Sequence, residues 1–230
     1  MKTYLIDSVF FGAVVSLAAY EAGLLLKRRF RLALLNPLLI ATVCVMAVLT
    51  LFKVEYRHYN EGAKYISYLL TPATVCLAVP LYQQLALLRK NLKAVAGGIT
   101  AGVLASLVSV FVLAKLFSLT HEQYVTLLPK SITTAIGMGV SEELGGISTI
   151  TVAVIIVTGI LGNVIAESVC RIFRIEEPIA KGLALGTASH AIGTAKAMEL
   201  GEVEGAMSSL AIAVAGLMTV VGASLFASLM

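Results

Sequence analysis

This chain has little charge. Asp, Glu, Lys and Arg make up 13% of its 230 residues, against 59% hydrophobic residues and a mean hydropathy of +0.95. A soluble domain of this size cannot hide so much apolar surface, so the composition calls for lipid. Cysteine is scarce too: Cys44, Cys76 and Cys170 lie singly in apolar runs without CxxC spacing, as small core residues do. His58 and His121 share no ligand spacing with His190, which excludes a metal centre of the usual kind, and no cofactor is expected. GxSxG, HExxH, a Walker loop and a GxGxxG turn are all missing, so nothing points to an enzyme. Basic blocks interleaved with stacking aromatics are missing as well, and a formal charge of +4 therefore does not indicate nucleic acid.

What is present is a series of long apolar runs. The clearest are 4–26, 32–52, 65–88, 94–117, 147–169 and 203–229, each long enough to cross a bilayer. Two more, 125–146 and 179–200, have the right length but carry Pro, Gly and ionisable residues. The fold class expected is an all-α polytopic membrane protein of about seven or eight segments, some broken or re-entrant, forming a single domain over 1–230. The first run continues from Tyr4 to Leu26 with its basic residues after it, which reads as a membrane helix and not a cleaved signal. By the positive-inside rule, Lys27 to Arg31 and the cluster Arg89, Lys90 and Lys93 face the cytoplasm, with the N-terminus outside. The rule leaves Arg171, Arg174 and Lys181 open: they lie outside if 125–146 crosses and inside if it turns back. A weak internal repeat, of the transporter-like inverted kind, sets Leu69, Thr74, Pro80 and Leu85 against Leu128, Thr133, Gly139 and Leu144.

Backbone breaks inside hydrocarbon survive only where protein or a water-filled cavity surrounds them, so the broken segments are where a solute would be held. The first is Leu128-Pro129-Lys130-Ser131-Ile132-Thr133-Thr134, followed by Gly137 and Gly139. Pro129 suits the first position of a helix, whose free N–H groups, with Lys130, suit an anion. Ser131, Thr133 and Thr134 add hydroxyls for a small hydroxy- or keto-acid. The bland alternative is an interfacial helix start with Lys130 reaching to headgroups. The second is Gly186-Thr187-Ala188-Ser189-His190-Ala191-Ile192-Gly193-Thr194-Ala195, where His190 would bind substrate or carry a proton, and a break is expected near Gly193. A plain interhelical hydrogen bond from His190 is the competing reading. Asn36-Pro37 and Pro80-Leu81-Tyr82-Gln83 each join a proline to an amide and are placed beside the cavity; Asp7, Glu21, Asn163 and Glu167 read as capping or packing residues.

Taken together, Leu-Leu-Asn-Pro-Leu-Leu (34–39), Pro-Leu-Tyr-Gln (80–83), Leu-Pro-Lys-Ser-Ile-Thr-Thr (128–134) and Gly-Thr-Ala-Ser-His-Ala-Ile-Gly-Thr-Ala (186–195) resemble the LrgB/CidB family over nearly the whole chain. The resemblance implies a bacterial inner-membrane protein working with a small holin-like LrgA/CidA partner. It also implies two roles: antiholin-like control of murein hydrolase export and lysis, or carriage of glycolate or glycerate, as in the fused plastid relatives, or of pyruvate, as with some bacterial pairs. The residues themselves favour a carrier. Alternating access is expected, with the segments around Pro129 and Gly193 forming a mobile unit; a homo-oligomer is compatible with this.

Overall fold

The computed structural model describes residues 8–30 and 35–230, all helices and loops with no strand among them. Asp7, Arg31 and the start of the first expected span lie outside the described residues. The chain divides into two compact units, Met1–Cys76 and Leu77–Met230.

The first unit holds α1 (Phe11–Phe30), α2 (Pro37–Phe52), α3 (Tyr56–Ser67) and α4 (Leu70–Cys76). Asn36 caps α2 by accepting from the Leu38 and Leu39 N–H groups, and Pro37 at the first helical position loses nothing by lacking its own. Glycine sets the packing distance here. A Cβ on Gly12 would strike the Tyr59 carbonyl oxygen, and one on Gly23 the backbone of Pro37. Beside Gly12, the Ser16 and Tyr59 hydroxyls share a 2.8 Å bond.

The second unit holds α5 (Ala78–Gln83), α6 (Leu85–Lys90), α7 (Leu92–Leu116), α8 (His121–Leu127), α9 (Thr134–Glu143), α10 (Ser148–Ile172), α11 (Pro178–Leu200) and α12 (Glu202–Ala227). Among the described residues of both units, four stretches are long and apolar enough to span a membrane: Tyr56–Gln83, Leu92–Leu116, Ser148–Ile172 and Glu202–Ala227. Along α7 the buried residues Val95, Ile99, Val103, Leu107, Val110 and Ala114 recur every three or four positions, a single helical face turned toward α11 and α12. Small residues on the partner, Ala206, Ala211, Ala215 and Ala223, let the helices close in, which is how membrane helices gain dispersion energy when hydrophobic transfer is spent.

Contacts fix the direction of each element. Gly98 and Gly102 meet Leu183 and Thr187, and Leu107 and Phe111 meet Gly222 and Phe226, so α7, the start of α11 and α12 run the same way. Ser141 meets Thr151 and Gly137 meets Ile155, so α9 and α10 are antiparallel. Segment 125–146, which the charge pattern leaves open between a crossing and a turn back, is therefore a fold-back: α8 starts beside the ends of α7 and α12, where the Tyr124 hydroxyl donates to the Phe226 carbonyl at 2.9 Å, and α9 returns to that same end. Helix α11 also reverses. Its non-helical residue is His190 (φ 43°, ψ −136°), three positions before the expected break at Gly193. Leu185 and Gly193, about 12 Å apart along an unbroken helix, touch, since a Cβ on Gly193 would press on the Leu185 carbonyl. Gly182 and Gly186 face Glu204 and Ser208 in that order, while Thr194 and Met198 face Ser208 and Gly205 in the reverse order. Residues 178–189 and 191–200 are thus antiparallel arms of a hairpin with His190 at its tip.

Other expected breaks lie elsewhere in the fold. Pro80 falls in the first turn of α5, and the discontinuity comes before it, at Leu77, because a proline cannot accommodate the carbonyl four residues back. Gly137 and Gly139 are inside α9, where Gly137 makes room for Ile155 and Gly139 has open space. The sequence repeat thus pairs a first-turn proline, Pro80, with a mid-helix glycine, Gly139.

Because 125–146 folds back, Arg89, Lys90, Lys93, Arg171, Arg174 and Lys181 all gather at the end of this unit where α7 and α12 begin, the end that the positive-inside rule assigns to the cytoplasm. Single cysteines at Lys90 and Glu176, in a chain cleared of its own cysteines, should react with an impermeant maleimide from one side of the membrane, and those at Glu122 and Glu143 from the other. Labelling of positions 90 and 176 from opposite sides would mean that 125–146 crosses. Gly162→Val, which drives a side chain into Ser189, should lower stability by about 1–3 kcal/mol in thermal unfolding. Gly139→Ala, with nothing within 4 Å, should be neutral or slightly stabilising.

Candidate functional site

The two fold-backs enter the second unit from opposite ends and meet midway. On α7 the first one touches Ser106, roughly 21 Å of helix from Leu92 and roughly 15 Å from Leu116. The tip of the second lies against Gly159, roughly 16 Å from the start of α10 and 20 Å from its end. Both breaks therefore sit at mid-depth, where unpaired backbone is least tolerable.

At the first break, Pro129 has no N–H to continue the ladder from α8. The chain tightens into three-residue turns, Lys130 N–H to Leu127 O at 3.2 Å and Ile132 N–H to Pro129 O at 3.4 Å. Helix resumes at Thr134 and not at Pro129, with Thr133 as an N-cap that makes no side-chain cap bond. The base of this fold-back is tied by buried hydroxyls: the Thr151 hydroxyl lies 2.9 Å from the Thr126 carbonyl oxygen and 2.7 Å from the Ser141 hydroxyl, and the Thr126 hydroxyl accepts from the Ile147 N–H at 2.8 Å.

At the second break, side chains take over for the lost helix bonds. Asn163 donates to the Ile192 carbonyl at 3.0 Å and Thr194 to the His190 carbonyl at 3.0 Å. The His190 ring, only 4% exposed, has Nε2 3.0 Å from the Ile155 carbonyl oxygen. Since that oxygen can only accept, Nε2 carries the proton. His190 thus clamps the hairpin tip to α10. Thr194 also bonds Ser208 at 2.7 Å, fastening the second arm to α12.

A cavity of about 550 Å³ lies where the two breaks converge. Its walls are Gly98, Gly102 and Ala105 of α7, Lys130 and Ser131 of the first break, and Thr187 and Ala188 of the second. Ser106 donates to Ser131 at 3.1 Å, and Ser131 accepts from the Lys130 ammonium at 2.8 Å. Among the described residues no carboxylate pairs with Lys130. An ammonium at this depth, in a cavity with mostly apolar walls, has the charge and surroundings that suit a small anion.

Of the expected site residues, the structure brings Lys130, Ser131 and Thr187 together around this cavity. Thr133 and Thr134 begin α9 outside its lining; Ser189 is buried against Gly162, His190 against α10, Gly193 against Leu185 and Thr194 against Ser208. Tyr82 and Gln83 are exposed on α5, and Asn36 caps a helix of the other unit. Sequence reading passed over Ser106 and Ser109, treating α7 as an ordinary span. The signal was present as a stripe of small residues, Ala94, Gly98, Gly102, Ser106 and Ser109, at helical spacing.

The tip conformation is itself testable. A side chain at φ 43° stores strain of about 1–3 kcal/mol, which glycine does not incur and a β-branched residue incurs in full. In thermal unfolding, His190→Val should be clearly less stable than His190→Gly. Equal stability of the two would place residue 190 in an ordinary helical conformation.

The LrgB-like family model matches residues 16–229. The chain is 41% identical over 218 residues to the antiholin-like protein LrgB of Bacillus cereus (strain B4264), covering 94% of this chain and 95% of that protein. The protein of the same name from Bacillus anthracis (strain A0248) is similar to the same extent. No solved structure matches. With the family model covering nearly the whole length, and membrane-length helices around paired breaks, the chain belongs to the LrgB-like family of multi-pass membrane proteins.

Proposed function

We propose that this protein carries small monocarboxylates, of the pyruvate, glycolate or glycerate class, across the bacterial cytoplasmic membrane by alternating access. It would act with a small holin-like LrgA/CidA-type partner. The observation that carries this reading is the cavity at mid-depth, flanked by two oppositely entering breaks and holding the Lys130 ammonium beside the Ser131 hydroxyl. Broken helices around a central site are the recurrent device of secondary transporters, because they present polar groups at depth and let one face open at a time. Lys130 would neutralise the carboxylate, with Ser131, Ser106 and Thr187 turned to the remaining oxygens. His190 would position the tip.

A second reading is favoured by the names of the relatives, which are antiholin-like. In it the protein regulates murein hydrolase export and lysis through its membrane partner and moves no solute. The relatives' names, which say nothing of transport, support this reading, and the Lys130 ammonium, which has no carboxylate partner among the described residues, supports the carrier.

Counterflow of labelled pyruvate, glycolate and glycerate in liposomes, with and without the partner, separates the two. A carrier gives saturable uptake, Lys130→Ala reduces it at least tenfold, and Ser106→Ala reduces it several-fold at unchanged protein yield. Uptake absent from both preparations, with lysis altered by partner binding alone, would establish the regulator.

A further inference from the structure

A second cavity, of about 340 Å³, opens at the basic end of the second unit, between the end of α10 and the start of α11. Arg171, Arg174 and Lys181 line it, together with Glu167 and Glu176. Glu167 lies 2.5 Å from the Lys196 ammonium, which Glu199 shares, and the three cations outweigh Glu167 and Glu176 together. Among the described residues none of the three makes a salt bridge.

The backbone builds this mouth. Helix α10 ends at Phe173, and Arg174 turns into the left-handed region (φ 52°) as the Ile175 N–H bonds the Cys170 carbonyl at 2.8 Å. That reversal brings Arg171 and Arg174 to the cavity, while Ile172 and Phe173 stay 73% and 72% exposed beside it. Lys181 faces them from the first turn of α11. Guanidinium groups bind phosphate oxygens in pairs, and basic pockets between membrane helices on the cytoplasmic side suit anionic headgroups.

We propose that this cavity is a binding site for the phosphate headgroup of an anionic phospholipid, its acyl chains lying against Ile172 and Phe173. A lipid, and not a soluble phosphate, fits because the cations are framed by exposed apolar side chains. The site also sits at the base of the α11 hairpin, next to the ion pair between Lys196 and Glu167, so a bound headgroup joins α10 to α11 there. It stands whether or not the protein moves a solute.

The test is lipid retention, read by native mass spectrometry of the whole protein released from nanodiscs of equal parts phosphatidylglycerol and phosphatidylcholine. Phosphatidylglycerol should be retained at least fivefold over phosphatidylcholine, and Arg171→Gln with Arg174→Gln should bring the ratio near one. Glu176→Gln, an exposed change that keeps the cations, should raise it. Equal retention by the unaltered protein overturns the proposal. So does a double variant that keeps its preference, or, where the double variant does not fold, an unmoved ratio in Glu176→Gln. Millimolar inorganic phosphate should leave the retained phosphatidylglycerol in place; full displacement by phosphate would assign the cavity to a soluble anion and overturn the lipid site.

Discussion

Hydrocarbon does not hydrogen-bond, and the second unit is organised around that constraint. A helix interrupted halfway across a membrane exposes N–H and C=O groups that cost several kcal/mol each when left unpaired. Two interruptions occur here: the first closes by tight backbone turns, and at the second side chains take over the lost bonds. Asn163 of α10 meets the Ile192 carbonyl, Thr194 meets that of His190, and the His190 ring ties the tip to Ile155. Glycines make this enclosure geometrically feasible. Gly159 and Gly162 leave room for His190 and Ser189, and any side chain in their place would push the tip away from the groups that satisfy it.

The cavity follows from the same arrangement. Two hairpins entering from opposite ends cannot both reach the middle without leaving space between their tips, and α7 keeps that space open by presenting small residues along one face. Lys130 is carried to mid-depth by a proline-terminated turn, which is why a cation sits where a continuous helix would seldom hold one. The position of the lysine is thus a consequence of backbone topology as much as of its own side chain.

Much of this was legible in the sequence. Leu128 to Thr134 and Gly186 to Ala195 mark the two breaks by proline, small residues and ionisable groups in otherwise apolar runs, whereas Asn36-Pro37, expected beside the cavity, is a capped helix start. What stayed hidden is what depends on tertiary contact. Nothing local distinguishes His190 from Gly193 as the turning residue; glycine is the natural choice, but Gly193 is needed where the returning arm crosses Leu185, and the tip falls on a histidine whose ring has a partner on α10. Gly137 and Gly139 look like helix breakers and are not, because the first serves packing against Ile155. The direction of 125–146 could not be read from hydropathy at all, since a fold-back and a crossing have the same composition; it took the contacts of Thr126 with Ile147 and Thr151 to decide it.

The two hairpins are held by different forces, and the difference bears on which would yield in a carrier. The first is anchored by Thr126, Ser141 and Thr151, hydroxyls buried to 2% exposure or less, whose bonds would have to break together in a low-dielectric interior. The second is held by close glycine packing, which tolerates sliding, by the hydroxyl pair between Thr194 and Ser208, and by the bonds from Asn163 to Ile192 and from His190 to Ile155. Its tip is in a strained conformation, and its base is pinned by Lys196 between Glu167 and Glu199, carboxylates that remain half-exposed to water. Exposed ion pairs exchange readily with solvent and are worth little individually. Both hairpins carry buried hydroxyl bonds, and what sets the second apart is the strain at its tip and the half-exposed carboxylates at its base, which bring it closer in free energy to a second arrangement. If one of the two breaks opens the cavity to the basic face, the physics assigns that motion to the hairpin of α11.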